Sequence, residues 1–436
     1  LDLLQLLFLG TIDRVEPTYL ENACKKVDGN FMENTLKSFA LGKCSHFLTL
    51  ILATLFSLVF TGTRPVSAEV SACSVHVSVP APVEQALDTV LQNIISSELG
   101  GAPGAVLSVR GAAWHYAKSA GTSNPSNGAP MSCDTPFQIG SNTKMMTASV
   151  LLQLQEEGKL SIDDRLMEHL PELADQLPFG RVITLGHLAQ HTSGVFSYTD
   201  NAPDGTPGLM EGAVNDPSAI RRQLSPEEMI EFVVAHGQPS FSPGKKGEWS
   251  YSNTGYTLLG LVIEKVEGLP LGKSLETRIF APLGMERTFL WNGIPRPQFG
   301  LPRAYLAPPF DYETTDWNLS QGWAAGAVIS NTNDMHTFIE ALVEGRLFQR
   351  SETLSEMMTT TSTTHLALQG YGLGLANKGP NLWGHGGQTL GFESEVAAFT
   401  DTGMSIVGWG TSSSNALGFG AIIISEALRK SGVLVD

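Results

Sequence analysis

The chain has 436 residues, 42% hydrophobic and 16% charged, enough to bury a large core in one catalytic unit or two ordinary domains and too apolar for a disordered chain. Its formal charge is −16, and residues 1–68 carry six acids and six bases, so the whole excess falls on residues 69–436. A net-acidic body argues against nucleic acid or an anionic membrane surface as the main partner.

Residues 1–31 have neither targeting logic nor clear periodicity, and the first methionine is Met32; translation is expected to start there, with the prefix a non-native leader. Phe47–Phe60, FLTLILATLFSLVF, is an apolar run of 14 residues preceded by Lys37 and Lys43. It is short for a membrane span and reads as the core of an export signal. Val66, Ser67 and Ala68 supply the small residues a signal peptidase accepts, so residues 32–68 are expected to be a cleaved signal peptide. The mature chain would start at Glu69, be periplasmic or secreted, and keep no stable membrane association. An uncleaved anchor and lipidation of Cys73 within Val70–Cys73 are the alternatives. Cys73 and Cys133 remain in the mature chain, as a disulfide or as two buried thiols. Neither has metal-site spacing, and no histidine-rich cluster suggests a metal.

Val83–Leu99 carries apolar residues at helical spacing, and Gly104–Arg110 and Ala113–Gly121 read as two strands joined at Gly111. Lys144–Leu154 is apolar on nearly every side, the pattern of a helix buried all round. Helical patterns follow at Pro226–His236 and Thr254–Val266, while Thr192–Pro243 is rich in Gly, Pro, Asp and Asn and predicts long loops over a cleft. Strand-like runs return at Ala325–Ser330, Tyr371–Ala376, Glu393–Phe399 and Met404–Trp409, before a closing helix at Phe419–Lys430. Without internal repeats or a low-complexity linker, residues 69–436 read as one folded unit with a helical insert.

Ser141-Asn-Thr-Lys144 stands where the buried helix begins. One helical turn sets the amine beside the hydroxyl, and burial disfavours the ammonium, so the amine can accept the serine proton. A serine there can equally cap the helix, with Lys144 in solvent. Ser-x-x-Lys arises about once by chance in a chain of this size. Ser242-Pro-Gly-Lys245 is such a match, but Pro243 and Gly244 break any helix. Two further elements stand in order. Tyr251-Ser-Asn253 is the only Tyr-x-Asn and enters the helix pattern at Thr254; His385-Gly-Gly387 is the only His-x-Gly and precedes a strand.

This series resembles the serine β-lactamase and penicillin-binding superfamily, nearest its class C β-lactamases, D-alanyl-D-alanine carboxypeptidases, D-aminopeptidases and related esterases. Leu188–Val195, Phe280–Thr288, Trp323–Met335 and Tyr371–Leu375 resemble the same group, and the likeness spans roughly residues 83 to 430. The resemblance implies an α+β fold, an antiparallel sheet flanked by helices plus an all-helical subdomain. The α/β part would cover about 69–140 and 285–436 and the insert about 141–284. It implies Ser141 as nucleophile, Lys144 as proton acceptor, Tyr251 as proton relay and His385 as the group tuning Tyr251. Asn253 would orient the acyl-side carbonyl, and the backbone N–H groups of Ser141 and Gln388 would form the oxyanion hole. Gly387 would line the substrate strand, Trp323 would join the substrate-binding set, and no cofactor or metal is implied.

Carboxypeptidases of this group hold the substrate carboxylate with threonines of the third motif and an arginine beyond the Tyr-Gly-Leu-Gly-Leu segment. Here the motif is His-Gly-Gly-Gln and only Lys378 follows as a point charge. The leading expectation is an exported D-alanyl-D-alanine carboxypeptidase-type hydrolase. A carboxylesterase or D-amino-acid amidase, a β-lactamase, and a silent peptidoglycan-binding module are the alternatives. The expected partner is a small peptide, ester or β-lactam.

Overall fold

The computed structural model describes residues 70–73, 77–96, 101–216, 218–293, 300–306, 313–365, 367–413 and 420–434. All belong to one unit, Ser67–Asp436. The expected leader, signal peptide and cleavage point lie outside the described residues.

The described strands are β1 Val70–Ala72, β2 Gly104–Arg110, β3 His115–Asn124, β4 Ala129–Pro130, β5 Phe137–Gln138, β6 Phe289–Leu290 and β7 Val328–Ser330. They continue with β8 Gly370–Tyr371, β9 Ala376–Gly379, β10 Leu382–Gln388, β11 Glu393–Phe399 and β12 Ser405–Gly410. The helices of eleven residues or more are α1 Ala81–Ile95, α2 Thr143–Glu156, α3 Pro226–His236, α4 Asn253–Glu267, α5 Thr332–Val343 and α6 Gly420–Lys430.

The main sheet runs β1-β3-β2-β12-β11-β10-β9-β8, with β4 on β3, and a small sheet runs β5-β7-β6. All these pairings are antiparallel. Side chains alternate across a strand, and the sheet uses that period to serve two cores. Ala105, Leu107, Val109, Ala397, Phe399 and Ile406 pack on α1 and α6, with Val83, Leu87, Leu91, Ile424 and Leu428 opposite them. Val106, Val396, Ala398, Val407 and Trp409 face the other way, toward α2 and α5. A helix layer on each face follows from that alternation. The described elements between β5 and β6 are all helical, and α2 is buried at nearly every position, as its sequence predicts.

Three expectations change. Ala325–Ser330 is half helix: Trp323–Gly326 forms one turn, and only Val328–Ser330 is strand. A short apolar run does not distinguish strand from buried helix by its period. Tyr371–Ala376 is two strands around a tight turn, with the Gly372 N–H donating to the Leu375 carbonyl at 2.8 Å. His385 and Gly387 lie inside β10, not ahead of a strand.

Cys73 and Cys133 form a disulfide with their Cα atoms 6.0 Å apart, tying the end of β1 to the segment after β4. The bond occupies the sulfur that lipidation of Cys73 would need. No helix among the described residues is long and apolar enough to cross a membrane.

Candidate active site

Ser141 sits in a 3-10 turn, Gly140–Asn142, that runs directly into α2. It does not cap the helix: the N-cap residue is Asn142, and no side-chain cap bond is made there. Asn142 instead donates its amide to the Ile139 carbonyl and to Ser394 Oγ, both at 2.9 Å, which pins the turn to β11.

Lys144, one turn on, is fully buried. Its Nζ lies 2.9 Å from Ser141 Oγ, 2.7 Å from Asn253 Oδ1 and 2.8 Å from the Ala325 carbonyl. Two of these partners are carbonyl oxygens, which only accept, so Lys144 donates to both. Burial holds its pKa well below the ordinary lysine value. A neutral amine has two N–H bonds for the two carbonyls and one lone pair left, and that lone pair faces Ser141 Oγ. The Tyr251 and Tyr256 rings, 4.7 and 5.4 Å from Nζ, favour the cation, but burial is the larger effect.

Tyr251 donates its hydroxyl to Ser141 Oγ at 2.8 Å, and burial pushes its pKa up. Ser141 Oγ therefore stands between a hydroxyl that donates to it and an amine that can take its proton. Asn253 opens α4, with Ser252 as the N-cap residue. Its backbone N–H donates to Ser197 Oγ at 3.2 Å and its Nδ2 to Thr199 Oγ1 at 3.0 Å.

His385 joins the cluster differently from expectation. Its Nδ1 faces the Gly386 carbonyl and so carries the proton, leaving Nε2, 2.9 Å from the Tyr371 hydroxyl, as an acceptor. Burial brings its pKa down to about 3. A neutral imidazole bonded to Tyr371 supplies no cation to lower the pKa of Tyr251; the two rings meet only as neighbours, 6.3 Å apart. His191 packs closer, 4.2 Å from the Tyr251 ring, and is also kept neutral by burial.

The end of β10 comes against the Ser141 turn main chain to main chain. A methyl group on Gly387 would lie 2.0 Å from the Ile139 carbonyl oxygen, so only glycine fits. One on Gly140, whose φ is +53°, would lie 2.6 Å from the Gln388 nitrogen. The segments holding the Ser141 and Gln388 N–H groups are thus in direct contact.

Trp323 does not join this cluster. Its indole lies over Gly260 in the middle of α4, about two helical turns from Asn253, where a methyl group would be 2.7 Å from the ring. Lys378 is not a free cation either: with its side chain 6% exposed it pairs at 2.9 Å with the fully buried Glu395. Sequence reasoning missed the Ala325 carbonyl, Thr199, Ser197 and Tyr371. Ala325 and Tyr371 lie in segments whose family likeness was legible; Thr199 and Ser197 carried no signal beyond a polar loop.

The Beta-lactamase family model matches residues 91–420. The chain belongs to the Beta-lactamase family. A D-stereospecific amidohydrolase from Streptomyces sp. is similar in structure, with a TM-score of 0.67 and 33% identity over 80% of this chain and 98% of that one. Esterase EstB of Burkholderia gladioli is 32% identical over 179 residues, 39% of this chain and 42% of the esterase. Penicillin-binding protein 4* of Bacillus subtilis (strain 168) is 29% identical over 189 residues, 43% of this chain and 38% of that protein. The chain spans about 40% of the length of these two curated relatives.

Proposed function

We propose that this Beta-lactamase family member is a serine hydrolase that cleaves amides or esters through an acyl-serine intermediate, with D-amino-acid amides and esters as its substrate class. The observation that carries the proposal is the hydrogen-bonded junction at Ser141 Oγ, with buried, neutral Lys144 on one side and Tyr251 on the other.

Ser141 Oγ attacks the carbonyl carbon as its proton passes to Lys144 Nζ. The carbonyl oxygen, now an anion, is received by the Ser141 and Gln388 N–H groups, each such donor contributing about 3 kcal/mol to the transition state. The leaving nitrogen or oxygen takes the Tyr251 hydroxyl proton, and the Lys144 ammonium, which lies 4.7 Å from the Tyr251 ring, returns a proton to the phenolate and is itself neutral again. Water then enters by the reverse route, giving up a proton toward Tyr251 and Lys144 and releasing the acid from Ser141. Asn253 holds Lys144 in place and lies beside the acyl group; Gly387 lets β10 close on the Ser141 turn so that the Gln388 N–H reaches the acyl oxygen; His385 holds the hydroxyl of Tyr371, against whose cluster Tyr251 packs.

Two observations favour the amidase and esterase class over carboxypeptidase action. The similarity to the D-stereospecific amidohydrolase covers nearly all of that protein. Lys378, the cation expected to meet a substrate carboxylate, is committed to Glu395. Export belongs to the same proposal: a 32–68 signal leaving residues 69–436 as the catalytic unit, with the helical part about 141–284 inserted in the α/β part. The Cys73–Cys133 disulfide supports an oxidising compartment.

The test compares turnover of D- and L-phenylalaninamide, a short-chain aryl ester, a D-Ala-D-Ala peptide and a cephalosporin by residues 69–436. The proposal expects the D-amide and the ester to be cleaved fastest. Preference for the peptide would restore the carboxypeptidase expectation, preference for the cephalosporin would make it a β-lactamase, and no turnover at all would leave a binding module.

A further inference from the structure

We propose that Asp200 binds the free α-ammonium group of the substrate's acyl part, so that the enzyme selects aminoacyl substrates over their N-acylated forms. The inference rests on the acyl-serine reading above and specifies its substrate.

The segment 197–200 is held rigidly against the active site. Its hydroxyls and backbone are fastened to the first turn of α4: the Asn253 N–H donates to Ser197 Oγ, Asn253 Nδ2 donates to Thr199 Oγ1, and the Tyr198 N–H donates to Thr254 Oγ1 at 3.1 Å. Ser197 Oγ and Thr199 Oγ1 are themselves 2.8 Å apart, and the Tyr198 hydroxyl donates to the Gln321 carbonyl at 2.6 Å. Behind the segment, Gly208 packs so tightly that a methyl group there would be 2.3 Å from the Thr199 carbonyl oxygen. Asp200 thus rides on a fixed support and not on a free loop. Thr199 Oγ1, which takes the Asn253 amide proton, donates to Asp200 Oδ1 at 3.4 Å. The carboxylate is therefore two hydrogen bonds from Asn253, and Asn253 is one from Lys144.

The other carboxylates of the neighbouring loop have partners. Asp204 pairs with His236 at 2.9 Å, and Glu211 accepts from Asn201. Among the described residues no cation stands against the Asp200 carboxylate, whose Oδ1 takes only the long bond from Thr199, while the Asp200 N–H donates to the Ser197 carbonyl. It is open to solvent yet set among surrounding protein, which pushes its pKa up to about 7. A carboxylate with no cation beside it gains when one arrives there. An amine on the carbon next to the scissile carbonyl, bound at Ser141 with its acyl part along Asn253, is carried toward the Asp200 end of the Asn253–Thr199–Asp200 chain of hydrogen bonds. An N-acylated substrate brings a neutral amide instead and leaves Asp200 as it is. Lys144 gains as well, since an ammonium held nearby disfavours a second charge on its amine.

The test measures kcat/KM of wild type, Asp200→Asn and Asp204→Asn for D-phenylalanine p-nitroanilide and its N-acetyl derivative, reading the ratio between the two. In wild type the free amine is expected to be preferred. Asp200→Asn is expected to lower the ratio by about tenfold to a hundredfold, the value of a hydrogen bond between charged groups, with the change mainly in KM. Asp204→Asn should leave the ratio as in wild type. An unchanged ratio in Asp200→Asn, or an equal fall for both substrates, would overturn the assignment while leaving the hydrolase reading intact. Turnover of neither substrate, nor of an aryl ester, by wild type would remove both.

Discussion

Replacing Lys144 with methionine separates a base from a structural cation. Methionine keeps the length of the side chain and its apolar stem but has nothing to accept the Ser141 proton. General-base assistance is worth about 10²- to 10⁴-fold, so kcat should fall by that factor with KM little changed. The structure also sets a folding cost. Asn253 Oδ1 and the Ala325 carbonyl each lose the N–H that now reaches them at 2.7 and 2.8 Å. A buried acceptor left unpaired costs about 1–3 kcal/mol, partly offset here because a desolvated amine is also removed. The assay is steady-state hydrolysis of an aryl ester across pH 6 to 9, with chemical denaturation of the same samples. Lys144→Arg completes the pair: it keeps a cation but cannot deprotonate, and it should be as inactive as the methionine variant. Retention of wild-type kcat within about tenfold by either variant would refute Lys144 as the base.

Gly387→Ala would force a methyl group to within 2.0 Å of the Ile139 carbonyl oxygen and 2.7 Å of Asn142 Nδ2, pushing β10 off the Ser141 turn. Stability should fall by about 1–3 kcal/mol, with turnover falling at the same time; thermal unfolding and ester hydrolysis check both. His336, fully buried between Ser108 and Ser405, is kept neutral, its pKa well below the ordinary value. Only the unfolded chain takes up that proton as pH drops below about 6.5, so stability is lost with falling pH, by up to about 1.4 kcal/mol per unit. Urea unfolding at pH 7.5 and 5.5 should show a shallower loss in His336→Asn than in wild type, and equal losses would contradict the assignment. Cys73→Ser with Cys133→Ser opens a cross-link between residues 60 apart, which the chain-entropy relation values at about 4 kcal/mol; the denaturation midpoint should drop while ester turnover at 25 °C persists.

The parts of the fold legible in the sequence are those governed by one local period. The strand at Gly104–Arg110 and the helix at Pro226–His236 appear with the bounds their patterns predict. Lys144–Leu154 reads as buried all round and is. Elements where a short run of small apolar residues allows two answers were misread. The run Ala325–Ser330 is one: its first two residues close the Trp323–Gly326 turn, and the strand-like reading hid the carbonyl of Ala325 that orients Lys144. At the site, Ser141, Lys144, Tyr251 and Asn253 could be named because their types and order are distinctive, and the structure brings all four into one hydrogen-bonded cluster. His385 could be named but not its state, since neutrality depends on burial and on the Gly386 and Tyr371 contacts. The fate of Lys378 was equally hidden, because its partner Glu395 lies on a strand not adjacent to its own. Trp323 shows the converse: a distinctive residue in a family-like segment whose ring faces α4 and not the serine.

The central claim is that Ser141 is the residue acylated. Residues 69–436 incubated with a fluorescent penicillin, digested and resolved by peptide mass should carry the adduct on the peptide containing Ser141. Ser141→Ala should abolish both adduct and ester turnover while Ser242→Ala, in an exposed turn whose Lys245 pairs with Glu248, keeps both. An adduct on Ser242 or any other residue, or ester turnover surviving Ser141→Ala, would contradict it.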